Sequence, residues 1–311
     1  MARQVVKVWA PASVANVAVG YDILGFAING PGDEVLLRRG TEKGLKIVEI
    51  TGARGKLTLD PKKNTAGHSA LRLLEHLGAS DEPLEMTIHK KMPFGSGLGS
   101  SAASAVGGAF AVNELLKTGL SKRDILHFAV EGEQIADGAW HADNVAPSLL
   151  GGMVLIRDNK TLDVHKLHIP KGLQVVVVYP KVQVLTKDSR NILSETVSLE
   201  KHIQQSGNLG GFLIGMYNSD FDLIQRSLED NIIEPQRAVL IPGFYEMKEA
   251  ALSNGALGFS ISGAGPSMFA LCNNSLVAEN IIEDAKRIYS AKKVDIQTFH
   301  SAINNEGAFL F

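Results

Sequence analysis

Polar and apolar residues alternate along this chain with two different periods. At 84–89, Leu84, Met86 and Ile88 interleave with Glu85, Thr87 and His89, the two-residue period of a half-buried strand. Segments 5–8, 33–38, 44–50, 153–157 and 294–299 have the same strand character. The valine run 174–179 predicts a strand buried on both faces. Helical spacing governs 65–77, where Ala66, Ala70, Leu73, Leu74 and Leu77 share one stripe and Gly78 is placed to end it. Further helices are predicted over 101–117, 125–136 (behind a capping pattern from Ser121 to Asp124), most of 189–231, 243–253 and 277–289. Runs 259–262 and 267–272 read as strands around a glycine-rich turn, and 11–25 as a loop of small residues. Strands and helices mix without a strict βαβ rhythm, so the expected fold class is α+β. A chain of 311 residues has room for two domains. The best boundary is Asp158-Asn159-Lys160 between two strands, which divides the chain into 1–160 and 161–311.

Composition narrows the function classes. With 45% hydrophobic and 21% charged residues, the chain is not of the disordered class. A net charge of −2 creates no field that would invite nucleic acid or an anionic membrane, so neither is an expected partner. The short basic runs Arg54-Gly55-Lys56, Pro61-Lys62-Lys63 and Lys90-Lys91 read as solvated surface. The single cysteine, Cys272, excludes an internal disulfide and lies in the apolar run Met268-Phe269-Ala270-Leu271-Cys272, which predicts a buried, inert thiol in a reducing compartment. Residues 1–9 lack a signal-peptide core and no window approaches 18 uninterrupted apolar residues, so the expected location is the cytoplasm. Glycine stands out: 31 of 311 residues, about 10% against a usual share of about 7%.

Three of those glycines lie together in Pro93-Phe94-Gly95-Ser96-Gly97-Leu98-Gly99-Ser100-Ser101-Ala102-Ala103-Ser104, between a predicted strand and a predicted helix. Glycines there admit positive φ and close approach of a ligand, serines are good N-caps, and the free amides of a helix start attract phosphate oxygens. A Walker loop would need a lysine after the last glycine, and the dinucleotide fingerprint a glycine at Ser100; both patterns fail, and with the second goes an oxidoreductase reading. A start chosen only for helix packing is the competing explanation.

This segment resembles the phosphate-binding loop of the GHMP kinases. The first motif, Pro11-Ala12-Ser13-Val14-Ala15-Asn16-Val17-Ala18-Val19-Gly20-Tyr21-Asp22-Ile23-Leu24-Gly25, resembles that of the family's homoserine-phosphorylating branch. Gly258-Phe259-Ser260-Ile261-Ser262-Gly263-Ala264-Gly265-Pro266-Ser267 resembles its C-terminal glycine-rich loop. The resemblance runs from about Val8 to the last strand. It implies a two-domain fold with the active site in the cleft, ATP and Mg²⁺, phosphorylation of L-homoserine on the route to threonine, and a homodimer. Another small alcohol (mevalonate, a sugar, shikimate) or a non-catalytic nucleotide-binding protein of this fold are the alternatives.

By that resemblance, ATP would contact Asn64 and the loop residues Pro93, Phe94, Gly95, Ser96, Gly97, Leu98, Gly99, Ser100, Ser101, Ala102 and Ala103. For Mg²⁺, Ser101 offers a hydroxyl, and Glu131 and Glu133 are two places apart on one helix, about 200° of rotation, so both cannot face one ion. The family pattern selects Glu133. His141 and Asn144, in Trp140-His141-Ala142-Asp143-Asn144, match substrate-binding positions. Arg190 and Arg237 match carboxylate-binding arginines, whose planar forks suit bidentate contact. Asp22 would take the ammonium, and Asn16 with Asn144 would orient the hydroxyl. Thr186 matches a position near the phosphates. The catalytic set so implied is Ser101, Glu133, Asn144, Thr186 and Arg190. Ser13 stands where mevalonate-type members have a lysine that supports an aspartate base, so Asp143, the aspartate at the expected place, is not expected to act as one.

Overall fold

The structure is a computed structural model that describes residues 3–53 and 55–311; Met1, Ala2 and Arg54, and with Arg54 one member of a basic run, lie outside the described residues. The first half contains β1 (Val5–Ala15), β2 (Leu24–Arg39), β3 (Leu45–Thr51), α1 (Thr65–His76), β4 (Leu84–His89), α2 (Ser100–Leu116), α3 (Lys122–Asp137), α4 (Val145–Leu150), β5 (Met153–Asp158) and β6 (Asp163–Lys166). The second contains β7 (Gln174–Pro180), α5 (Thr186–Asn191), α6 (Leu199–Asn218), α7 (Phe221–Ser227), α8 (Glu234–Arg237), α9 (Phe244–Ser253), β8 (Gly258–Ile261), β9 (Met268–Cys272), α10 (Ser275–Ala291), β10 (Ile296–Ala302) and β11 (Phe309–Leu310).

Two sheets organise these elements. The first has the order β11-β1-β2-β4-β3, with β5 on β2 and β6 on β5; the second has the order β10-β7-β9-β8. Only the β3–β4 pair is parallel among the described strands. Helix α2 lies on β1 and β2, with α1 and α3 packed against it. Its small residues make that possible: a Cβ at Gly107 would stand 2.5 Å from Val35, and one at Gly108 2.1 Å from the Ala66 carbonyl. The valine run of β7 divides its side chains between two cores. Val175 and Val177 join the large core under the first sheet, and Val176 and Val178 join the core with α9 and α10. Phe26 and Phe269 meet edge to face across the two sheets, 5.9 Å between centroids.

Several boundaries differ from the sequence reading. β1 runs on through Pro11 to Ala15, and β2 starts at Leu24, so the expected loop 11–25 narrows to a turn at 16–23 between two strands. Asp158 ends β5, and Asn159 and Lys160 lie in the turn of the β5–β6 hairpin, so the first sheet continues past residue 160 and regains Phe309–Leu310. Local patterning misses this because a hairpin turn and a linker share the same polar residues. Short α4, α8, β6 and β11 also carry too few residues to show a period. The capping box at Ser121 and Asp124 is present.

Lys90 corrects the surface reading of its run: it is buried and ion-paired with Asp33, whereas Lys91 is exposed and paired with Glu34. Cys272 is fully buried, and burial pushes its thiol up to about 11. The native protein is therefore expected to resist DTNB at neutral pH and to react only on unfolding; rapid labelling of the folded chain would contradict this. No helix among the described residues is long and apolar enough to cross a membrane.

Candidate active site

The three motifs meet at one place. Gly95, Gly97 and Gly99 all have positive φ, at 67°, 78° and 65°. A Cβ at Gly97 would stand 2.6 Å from the Ser262 carbonyl and 2.7 Å from that of Gly265. The third motif also grips the loop through Ser262 Oγ, which donates to the Gly97 carbonyl at 2.7 Å, and the Ser267 amide, which donates to that of Ser96 at 3.0 Å. From the first motif, the Ser13 amide donates to the Leu98 carbonyl at 3.1 Å. The loop is thus held by backbone contacts from both halves of the chain.

The N-cap of α2 is Gly99, and no side chain caps the helix, which corrects the expectation that the serines do so. Ser100 Oγ donates to Asp33 (2.9 Å) and Ser101 Oγ to Glu133 (2.6 Å). Both hydroxyls turn away from the helix end. As the first three residues of the helix, Ser100, Ser101 and Ala102 leave their amides without an intrahelical acceptor, an arrangement that suits an anion. The Ala103 amide is already committed to the Gly99 carbonyl. Leu98, Ala102 and Ala103 have fully buried side chains, Ser96 is buried, and Phe94 is exposed. Asn64 is the N-cap of α1: its Oδ1 accepts from Ala66 and Gly67, and its Nδ2 donates to the Thr58 carbonyl.

Beneath the loop is a group that sequence reasoning missed. The Asp33 carboxylate accepts from the amides of Lys91 and Met92, from Ser100 Oγ and from Lys90 Nζ. Lys90 Nζ also donates to the Ser100 carbonyl at 2.6 Å and to Ser104 Oγ at 2.7 Å. One buried ion pair thereby clasps the strand that enters the loop and the helix that leaves it. A signal was available: continuing the alternation of Leu84, Met86 and Ile88 puts Lys90 on the inward face.

The other end of the site is charged. Asn16, at φ 71°, accepts from the Asp22 amide (3.0 Å) and donates to the Gly263 carbonyl (3.0 Å), so it joins first and third motifs. Arg190 on α5 pairs with Asp22 at 3.3 Å and donates to Tyr21 Oη at 3.1 Å. Buried Arg237 on α8 donates to the same Tyr21 oxygen (3.2 Å) and to the carbonyls of Ser189 and Gly263. Burial pushes the Tyr21 phenol up, Asp22 adds to this and the two arginines oppose it; burial lowers Arg237. Tyr21, a member of the motif at 11–25, is a further residue missed from sequence. Asn159 is another: it donates to the Asp22 carbonyl and accepts from the Ala142 amide, although it was read as part of a boundary.

His141 Nδ1 lies 2.8 Å from Asp143, and ligand atoms of Asp22, His141 and Asp143 fall within 4.8 Å of one another. Asn144 Oδ1 accepts from Ser13 Oγ at 2.9 Å, and a Cβ at Gly99 would strike both groups. Glu133 is buried against Ser101, whereas Glu131 turns outward to Arg72. Thr186 starts α5 as an exposed residue, and among the described residues no hydrogen bond ties it to residues 93–104.

Comparison with known proteins agrees with this geometry. Residues 64–152 match the model of the GHMP kinases N terminal domain, and 212–291 that of the GHMP kinases C terminal. The homoserine kinase of Chlorobium phaeobacteroides is 42% identical over 97% of this chain and 98% of its own, and that of Xylella fastidiosa 38% identical over 98% and 93%. The crystal structure of homoserine kinase from Cytophaga hutchinsonii is 48% identical, covers 100% of this chain and 98% of its own, and superposes with a TM-score of 0.97. Mevalonate kinase shares the fold at 15% identity and a TM-score of 0.74. The chain belongs to the GHMP kinase family, in its homoserine kinase branch.

Proposed function

We infer that this protein transfers the γ-phosphoryl group of ATP to the hydroxyl of L-homoserine. The observation that carries the reading is the convergence of Arg190 and Arg237 on Tyr21 beside Asp22, at a site continuous with the phosphate loop. Homoserine is a zwitterion: its carboxylate suits two guanidinium groups and its ammonium suits Asp22. Insertion of both charges exchanges the Arg190–Asp22 pair for two new pairs without net charge change. Mevalonate and sugars carry no ammonium for Asp22.

Phosphoryl transfer depends on positioning and on stabilising charge more than on covalent help from the protein. The loop amides at 97–102 are proposed to cradle the β- and γ-phosphates. For Mg²⁺, the test is the donor set: a hydroxyl and a carboxylate hydrogen-bonded to each other at the first turn of α2 are the hard oxygen ligands this ion takes. Ser101 and Glu133 would hold it, and when bound it supplies neutralisation of phosphate charge. Asn144, whose Oδ1 accepts from Ser13 Oγ, would direct the acceptor hydroxyl. His141 and Asp143 hold each other beside it. With Ser13 instead of a lysine, Asp143 lacks a cationic neighbour of that kind, and the hydroxyl proton is proposed to pass to the phosphate. Asp143→Asn should then lower kcat by less than about a thousandfold in steady-state assays with the fold intact; a larger loss would make Asp143 the base. Threonine supply, a cytoplasmic location, a homodimer and the two-domain division belong to the same reading.

An ADP-release assay of the purified protein with Mg-ATP and L-homoserine, mevalonate, shikimate or galactose tests the assignment. Turnover is expected with homoserine. Rates no greater than with water alone would overturn it.

A further inference from the structure

Asp22 is held in an unusual way. Its backbone lies at φ 59°, a left-handed conformation uncommon outside glycine. Such conformations persist only where the surroundings over-determine them. Here two asparagine side chains take both polar groups of the Asp22 main chain. The amide donates to Asn16 Oδ1 at 3.0 Å, and the carbonyl accepts from Asn159 Nδ2 at 2.9 Å.

Asn16 belongs to the first motif, but Asn159 belongs to none of the three and comes from the turn between β5 and β6. An asparagine in a turn ordinarily caps that turn with its own side chain. Asp158 already does so, since its Oδ1 accepts from the Lys160 amide at 2.8 Å. The Asn159 side chain is half-buried and reaches away instead, to partners 137 and 17 positions off in the chain. Its Oδ1 accepts from the Ala142 amide at 3.0 Å, and its main-chain carbonyl accepts from Trp140 Nε1 at 2.7 Å. Ala142 stands between His141 and Asp143. One residue of a hairpin turn therefore spans the two segments that bring Asp22, His141 and Asp143 within 4.8 Å of one another.

We propose that Asn159 is a positioning residue for the acceptor site, setting the Asp22 carboxylate against the segment from His141 to Asn144. The proposal rests on the homoserine reading above and adds to it the group that fixes the ammonium's partner. An amide suits the task because it offers a donor and an acceptor at one planar end. Without the Nδ2 donor, the Asp22 peptide is free to leave its left-handed conformation, and the carboxylate turns from the place the ammonium needs. The phosphate loop makes no use of this contact, so ATP should not sense its loss.

Steady-state kinetics of the purified protein with two variants test this. Asn159→Leu removes both side-chain bonds at nearly constant size. Asn159→Asp keeps an acceptor for Ala142 and removes only the donor to Asp22. Both should raise KM for L-homoserine by about tenfold and leave KM for ATP within about twofold. A second readout is one that a merely structural role would not move. 4-Hydroxybutanoate is homoserine without its ammonium and has no use for Asp22, so its inhibition constant should be the same for Asn159→Asp as for the wild type. Should Asn159→Leu fail to fold, Asn159→Asp carries the test. An unchanged KM for homoserine in Asn159→Asp, an equal rise in both KM values, or an equal loss for homoserine and 4-hydroxybutanoate would each overturn the proposal and leave the kinase reading standing. A wild-type protein that does not turn over homoserine would overturn both.

Discussion

Lys90→Met should destabilise the protein by about 3–5 kcal/mol and impair ATP more than homoserine. The side chain of Asp33 is completely buried, and its carboxylate accepts from two backbone amides and the Ser100 hydroxyl besides the lysine. Methionine preserves much of the lysine's length and apolar stem but leaves that carboxylate without its counter-charge, and breaking a buried pair on one side costs about 3–5 kcal/mol. For a chain of this size the melting temperature should fall by roughly 5–10 °C. Activity should change in a particular way. The pair ties Lys91 and Met92, before the loop, to Ser100 and Ser104, after it. Loosening the clasp lets the loop ends separate, so KM for ATP should rise while KM for homoserine moves little. Asp33→Asn combined with Lys90→Met removes both charges and should recover part of the lost stability, a coupling that a double-mutant cycle reads directly. Additive losses would mean that the two side chains act independently.

Arg237→Leu should have the opposite bias. Arg237 is almost wholly buried and shares the Tyr21 hydroxyl with Arg190. Removing one member of a buried charge pair costs about 2–5 kcal/mol in binding, which corresponds to roughly 30-fold to 4,000-fold weaker homoserine. The arginine also donates to the carbonyls of Ser189 and Gly263, so part of its effect runs through loop position. Arg237→Lys keeps the charge but not the planar fork, and should recover only a fraction of the affinity. KM for homoserine should rise far more than KM for ATP. An equal rise in both would assign Arg237 to fold integrity instead of substrate recognition.

How much of this was legible in the residues differs between backbone and side-chain features. The glycine loop at 95–99 was readable because its backbone is local: glycines at positive φ at a strand-to-helix junction are needed whatever lies nearby. The mixed fold, the doubly buried β7 and the inert Cys272 were readable for a similar reason, since a period or an apolar run reports burial directly. The cap of α2 was misread because Ser100 and Ser101 are good caps by type, and only tertiary contacts with Asp33 and Glu133 turn their hydroxyls away. Lys90 was misread because a lysine is ordinarily exposed, and its partner lies 57 positions earlier in the chain.

By itself, then, the sequence determined the class of fold, the glycine loop proposed to receive phosphate and, through its resemblance to a family, the residue types proposed to hold a zwitterionic alcohol. Only the tertiary structure decided how they meet: Arg190 and Arg237 on one tyrosine hydroxyl, Asn16 and Asn159 around Asp22, and an ion pair under the loop. The physical reason is range. Backbone conformation and side-chain burial are set by neighbours a few residues away and leave a period in the sequence. Hydrogen bonds and ion pairs depend on distances of about 3 Å between residues far apart in the chain, which no local pattern encodes.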